Sequence, residues 1–328
     1  MTLRTRFTEL VGCMHPISCA GMGMASPNLA KEVALAGGLG MTSGVMVPPV
    51  ELEKILTSLQ TNMTGKIGVN FIIPFLEDES SVEIAAANAR VVDFFYGDPD
   101  PKLVSRVHEG DALAAWQVGS VREAQAAVDA GCDFVILQGT EAGGHVRGTR
   151  GLLTMMADVL DAIEIPLVAA GGIATPRAVA MALSCGAAAV RIGTRFVATP
   201  ESGYHPDYIN AIIASEGEDA VYTENFSIGW EAPHRVLANC IDASAALEDD
   251  IIGKIDFGGQ EIDVPRNSVF GPMVQTSGNI DAMAQYAGQG VSAIKSCEPA
   301  AEILRQLADG AEKIISSESE RLTRMLEG

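Results

Sequence analysis

Asp133-Phe134-Val135-Ile136-Leu137-Gln138-Gly139-Thr140-Glu141-Ala142-Gly143-Gly144-His145 is the stretch on which the reading of this chain turns. A short apolar run closed by a polar residue and glycines reads as a buried strand leaving the core. The glycine-rich turn that follows ends in a single histidine. The pattern recurs without the histidine as Ile165-Pro166-Leu167-Val168-Ala169-Ala170-Gly171-Gly172-Ile173, and again as Ala187-Ala188-Ala189-Val190-Arg191-Ile192-Gly193-Thr194-Arg195. Three successive buried strands thus end in main chain bare enough to touch a ligand, and one of them presents a proton-transfer side chain. An α/β barrel builds its active site in this way, at the carboxyl ends of its parallel strands.

Working outward, eight apolar runs of this kind precede residue 200: His15–Ala20, Gly38–Ser43, Gly68–Ile73, Val91–Gly97, Ala112–Val118, Phe134–Gly139, Pro166–Gly171 and Ala188–Thr194. Their starts fall about 20 to 30 residues apart, the length of a strand plus a crossover helix. Pro27–Ala36, Val50–Leu59, Val121–Ala130 and Pro176–Ser184 read as the clearest amphipathic helices, the last with Thr175 as N-cap and proline in its first turn. Near-continuous apolar strands alternating with helices predict a parallel sheet, and eight units predict closure as a (β/α)8 TIM barrel over residues 1–203. The rhythm fails after Ala198. Residues 204–290 read as a smaller, mainly helical extension covering the barrel mouth, with loop chemistry at Phe257-Gly258-Gly259-Gln260. Residues 291–328 read as a C-terminal helix that packs back on the barrel.

Composition limits the function. Hydrophobic residues make up 48% of the 328, enough for a large core, while the net charge is −20. That balance argues against nucleic acid, which needs a basic face, and fits acidic solvated helices. Cys13, Cys19, Cys132, Cys185, Cys240 and Cys297 are scattered without a C-x-x-C pair, so free thiols are expected rather than a disulfide framework. The first residues hold no signal-like apolar run, and no stretch reaches the roughly 20 apolar residues of a membrane span. The expectation is a cytoplasmic enzyme with small-molecule partners; a homodimer is compatible with the sequence.

The chemistry gathers at the strand ends. Gly171-Gly172 ahead of the helix at Thr175, and Gly193-Thr194 after the next strand, fall where barrels form a phosphate site from free N–H groups and a helix N-terminus. Such glycines can serve tight turns alone, but two of them in the two appropriate places favour a ligand. Ala20-Gly21-Met22-Gly23 and Asn70 supply further groups at the same face. A flat heterocycle could rest on the small residues and Met22, with Asn70 and Gln138 on its polar edge. A flat, phosphorylated, redox-active ring matches FMN; no G-x-G-x-x-G sits in a dinucleotide fingerprint. His145 is the catalytic candidate, since a neutral imidazole at the mouth can take a proton from a carbon acid. Glu141 could cap a helix or orient His145. His234 and Arg235 lie where the extension could fold over the mouth, with a structural ion pair expected for Arg235. Metal binding is not expected, because no histidines or carboxylates stand at ligand spacing.

These residues resemble the nitronate monooxygenases (formerly 2-nitropropane dioxygenases), FMN-dependent (β/α)8-barrel enzymes. The resemblance spans nearly the whole chain. It is carried by Ala20-Gly21-Met22, Ala36-Gly37-Gly38-Leu39-Gly40, Gly68-Val69-Asn70, Gln138 to His145, Ala169-Ala170-Gly171-Gly172-Ile173, Gly193-Thr194-Arg195-Phe196 and Tyr286-Ala287-Gly288-Gln289-Gly290. It implies that Asn70, Gln138, Gly143, Gly172 and the run Arg191, Ile192, Gly193, Thr194 hold FMN, that His145 is catalytic, and that alkyl nitronates react with O2 to give a carbonyl compound and nitrite. Flavin-dependent enoyl-acyl-carrier-protein reductases and quinone reductases share most of these motifs, so an NAD(P)H-dependent reductase is the alternative. Val146-Arg147-Gly148 after the histidine, and Gly44-Val45-Met46-Val47-Pro48-Pro49 after the second strand, depart from the monooxygenase pattern and bear on the substrate.

Overall fold

The computed structural model describes residues 3–23, 25–61, 64–257 and 259–327; of the segments singled out above, Met1, Thr2, Gly258 and Gly328 lie outside them. Eight parallel strands close into a barrel: β1 (Ile17–Cys19), β2 (Leu39–Ser43), β3 (Lys66–Ile72), β4 (Val91–Phe95), β5 (Leu113–Val118), β6 (Phe134–Gln138), β8 (Leu167–Ala170) and β9 (Ala189–Ile192). The two-residue β7 (Gly144–His145) branches off after β6. Closure comes from β1 against β9, where Ser18 is level with Arg191. Seven of these eight strands are buried on both faces at nearly every residue, which is why they read as apolar runs and not as alternating ones.

Local signals set the helices between them. Ser26 accepts the Asn28 N–H, Ser120 that of Glu123 and Thr175 that of Ala178, each at the start of a crossover helix. Prolines open the helices Pro27–Leu35, Pro101–Glu109 and Pro176–Ser184, where a missing N–H removes no helical bond. At the amino end of the barrel the helix Arg6–Val11 acts as a plug: Phe7 is fully buried and meets Phe134 edge-on at 5.4 Å. Arg90 ties this plug down by donating to Leu10 O at 2.7 Å and Val11 O at 3.2 Å.

The helix Ala300–Glu327 buries Leu304, Leu307 and Ala311 in the same core and lies against both Pro176–Ser184 and Pro27–Leu35. It therefore takes the place of the eighth crossover helix, reached after the chain has built everything from 193 to 299 above the mouth. That inserted region is mixed and not mainly helical. Beside the helices Pro206–Ala214 and Ala238–Ala245 it holds β10 (Ala220–Thr223) and β11 (His234–Leu237), which join β7 in one antiparallel sheet. β12 (Ile251–Phe257), β13 (Gln260–Pro265) and β14 (Thr276–Gly278) form another. The strands escape sequence reading because β10 and β11 have four residues each, too few to show a period. The β12–β13 hairpin covers only a small satellite core of Ile252, Ile255, Val264 and Met283. No helix among the described residues is long and apolar enough to cross a membrane.

Candidate active site

A cavity of about 390 Å³ opens at the carboxyl ends of the barrel strands. The expected cofactor contacts Ala20, Gly21, Met22, Asn70, Gln138, Gly143, Gly171, Gly172, Arg191, Gly193 and Thr194 all line it, as does His145. Ile192 does not: it is 1% exposed in the barrel core, and its part is to accept the Ala20 N–H at 2.9 Å. The inserted region brings Trp230, Phe270, Tyr286, Gly288 and Gly290 to the same space.

One side of the cavity is bare main chain. Gly171 and Gly172 have φ of 113° and 68°, a conformation that L side chains resist. No described residue accepts from the backbone N–H of Gly143, Gly171, Gly172 or Gly193; these half-buried amides line the cavity and are free to donate to a ligand. The loop around Gly143 meets the returning chain so closely that a Cβ there would stand 2.5 Å from Gly288 N. Gly288 N–H in turn donates to Thr194 Oγ1 at 3.0 Å. A Gly143→Val protein is expected to fold but to separate these two loops; titration with flavin, followed by its fluorescence, should show at least a tenfold loss of affinity, about 1.4 kcal/mol.

The floor is a buried polar network. Asp93, fully buried on β4, accepts from Asn70 Nδ2 and pairs with Arg191, whose side chain is 4% exposed. Arg191 also donates to Gln117 Oε1 at 3.2 Å, while its Nε is buried without a partner. Sequence reasoning passed over Asp93, although a charged residue inside Val91-Val92-Asp93-Phe94-Phe95 was the available signal. Gln138 has a second task besides lining the cavity: its Nε2 donates to His145 O at 2.9 Å and its Oε1 accepts from Arg147 N at 3.3 Å. It shapes the histidine loop, with one N–H and one lone pair left for a ligand.

His145 lies on β7, held level with His234 of β11. It does not stand open above the mouth. Trp230 covers it, ring centres 3.8 Å apart at 31°, and Tyr96, His234 and Tyr286 surround it at 6.4, 5.3 and 5.6 Å. Its Nε2 is buried with no partner. Burial, followed by the nearness of His234, lowers its pKa from the usual 6.5 to about 3, so the ring is uncharged at neutral pH. Glu141 is a cap: both carboxylate oxygens accept the Leu152 N–H, at 2.9 and 3.0 Å, at the start of Leu152–Ala162. The ion pair expected for Arg235 gives way to carbonyl partners among the described residues. Its guanidinium donates instead to Thr140 O at 3.0 and 2.7 Å and to Ala220 O at 2.6 Å, fastening the histidine loop to the inserted sheet. Among the described residues no group of three His, Cys, Asp or Glu could hold a metal.

Loops at the carboxyl ends of eight strands, converging on one cavity with a histidine at its edge, are the architecture of barrel enzymes. The sequence model of the nitronate monooxygenase family matches residues 52–310. The chain belongs to that family, whose members are flavin-dependent oxidoreductases. A Rhodococcus jostii (strain RHA1) protein named (3aS,4S,5R,7aS)-5-hydroxy-7a-methyl-1-oxo-octahydro-1H-indene-4-carboxyl-CoA dehydrogenase is 34% identical, over 72% of this chain and 66% of its own length. A probable nitronate monooxygenase of Staphylococcus aureus (strain N315) is 27% identical over 68% of this chain and 76% of its own. The structure of FabK from Thermotoga maritima superposes with a TM-score of 0.79 at 28% identity, covering 98% of this chain and 100% of that one.

Proposed function

We propose that this chain oxidises alkyl nitronates, or the neutral nitroalkanes from which they form, with O2, giving a carbonyl compound and nitrite, and that it does so with FMN. The observation that carries this reading is the uncharged, partnerless Nε2 of His145 at the edge of a cavity lined by unpaired amides. Gly143, Gly171, Gly172, Gly193 and Thr194 would take the phosphate. The Ala20–Met22 turn, Asn70 and Gln138 would take the ring, and the Asp93–Arg191 pair fixes the floor beneath. When bound, the flavin supplies the electron transfer to oxygen. His145 removes the α-proton of a neutral nitroalkane, and the anion so formed stabilises the imidazolium beside it, offsetting the penalty that burial imposes on the charged ring. With a preformed nitronate, the same ring serves as hydrogen-bond partner.

The mostly apolar cavity wall supports a small nitro compound. Among the described residues its one charged lining residue is Arg191, already paired with Asp93, so none of them offers a free cation to a large anionic carrier. The second reading, an NAD(P)H-dependent reductase acting on enoyl thioesters or quinones, is favoured by the CoA dehydrogenase name of the 34%-identical relative. Anaerobic mixing separates the two: reduced nicotinamide should leave the bound flavin oxidised while a nitronate bleaches it. Rapid bleaching by NADH or NADPH alone would transfer the chain to the second reading. The lowered pKa of His145 adds a prediction. Its base form persists in the free enzyme down to about pH 3, so kcat/KM for a neutral nitroalkane should show no acid limb near 6.5. A rate profile from about pH 4 to 8 checks it.

A further inference from the structure

The loop from Phe226 to His234 carries a tryptophan to which the reaction above assigns no part. Phe226 is fully buried and anchors one end; at the other, Val146 N–H donates to Pro233 O at 2.9 Å. His234, also fully buried, closes the loop with both ring nitrogens. The Phe226 N–H can only donate, so Nε2, 3.3 Å away, must accept from it; Nδ1 therefore carries the proton and donates to Ala232 O at 2.9 Å. Only the neutral ring in that tautomer satisfies both partners. The closed strap lays Trp230 against His145, with Phe75 edge-on to the indole at 5.3 Å and Tyr96 at 4.5 Å.

We propose that this strap is the specificity device of the mouth: Trp230 walls the space beside His145 and keeps that imidazole dry, so that substrates with slim, apolar carbon chains are selected, and His234 is the positioning residue that holds the strap shut. The part concerning substrates rests on the reaction proposed above; the part concerning the dry imidazole does not. The groups facing His145 are Tyr96 beyond β4, Tyr286 from the returning chain and His234 from β11. Arg147 lies 5.7 Å over the Tyr96 ring, paired with Glu123 and Asp98. Glu224 is the carboxylate that acts on His234. None of these is an anion paired with His145, so water exclusion by its stacked neighbours governs its charge, and Trp230 lies closest.

The test is an NMR pH titration of the His145 imidazole in the FMN-loaded protein, its resonance assigned by its loss in His145→Asn. Wild type and Trp230→Phe should stay uncharged down to about pH 4, whereas in Trp230→Ala the midpoint should rise by at least about one unit toward the ordinary value. Both His234→Leu and His234→Gln lose the direct effect of His234 on His145, but Gln keeps a donor and an acceptor for the strap, so the midpoint should rise further in His234→Leu than in His234→Gln, and the difference between them reads the strap. In parallel, the kcat/KM ratio of a branched to a linear nitroalkane of equal carbon number should rise roughly tenfold in Trp230→Ala. An unmoved midpoint or an unmoved ratio in Trp230→Ala overturns the proposal; those variants suffice even where His234→Leu fails to fold. If the midpoint moves while no nitro compound is turned over by any variant, the dry-imidazole role stands and the reaction assignment falls.

Discussion

Replacing His145 by Asn is expected to lower kcat/KM for neutral nitroalkanes by about 10²–10⁴-fold, the usual worth of a positioned general base, with FMN still bound. The residue sits on β7, fixed from two directions: its carbonyl accepts from Gln138, and its strand is paired with β11. Asparagine keeps those backbone contacts and fits the space, so the amide cradle on the other side of the cavity is undisturbed. It has no basic nitrogen to receive a proton. Preformed nitronates need no deprotonation and should lose far less, so the ratio of the two substrates' rates is the diagnostic quantity. Steady-state kinetics on both forms of one compound, with flavin content measured by absorbance, give the answer. Equal losses on both forms would remove His145 from proton transfer and leave it a binding residue.

Arg191→Met is expected to destabilise the fold by about 3–5 kcal/mol, because it leaves the fully buried Asp93 carboxylate without its counter-ion. The loss extends beyond one pair. Arg191 also holds Gln117, and Asp93 holds Asn70, so four strands of the barrel share the network. Denaturant unfolding measures the loss. The double variant Arg191→Met/Asp93→Leu removes both charges and should recover most of the stability, since apolar groups of similar volume often replace a buried pair without penalty. Its FMN affinity should nevertheless remain weakened, because the polar floor is gone. A single Arg191→Met variant as stable as wild type would show that the pair is solvated and not part of a dry floor.

Much of the barrel was legible because its physics is local and repeated. Each strand is buried on both faces and ends where a ligand-facing loop begins, so apolar runs closed by glycine or polar residues mark strand and site together. The prolines and hydroxyl caps that start the helices are equally short-range. Ile192 shows the limit of motif reading: it lies within a run of cavity residues, yet strand alternation turns its side chain into the core. Gln138 and Arg235 show another limit. Both residues were noticed, but what they bind is a carbonyl or amide brought from elsewhere in the chain. Asp93 was visible only as an oddity among apolar neighbours, since its partner Arg191 stands 98 positions away.

The amino-acid order by itself determined a closed eight-stranded barrel, the glycine turns at its rim and the one histidine among them, because periodicity, capping and backbone freedom act within a few residues. Folding alone decided what surrounds that histidine. The inserted segment carries helices and short strands whose pairing partners lie tens of residues away, and no local pattern says that His234 will close a loop or that Trp230 will rest on His145. Those contacts form only when distant segments bury each other. They strip water from the imidazole, and so they set a charge state that could not be read from the residue itself.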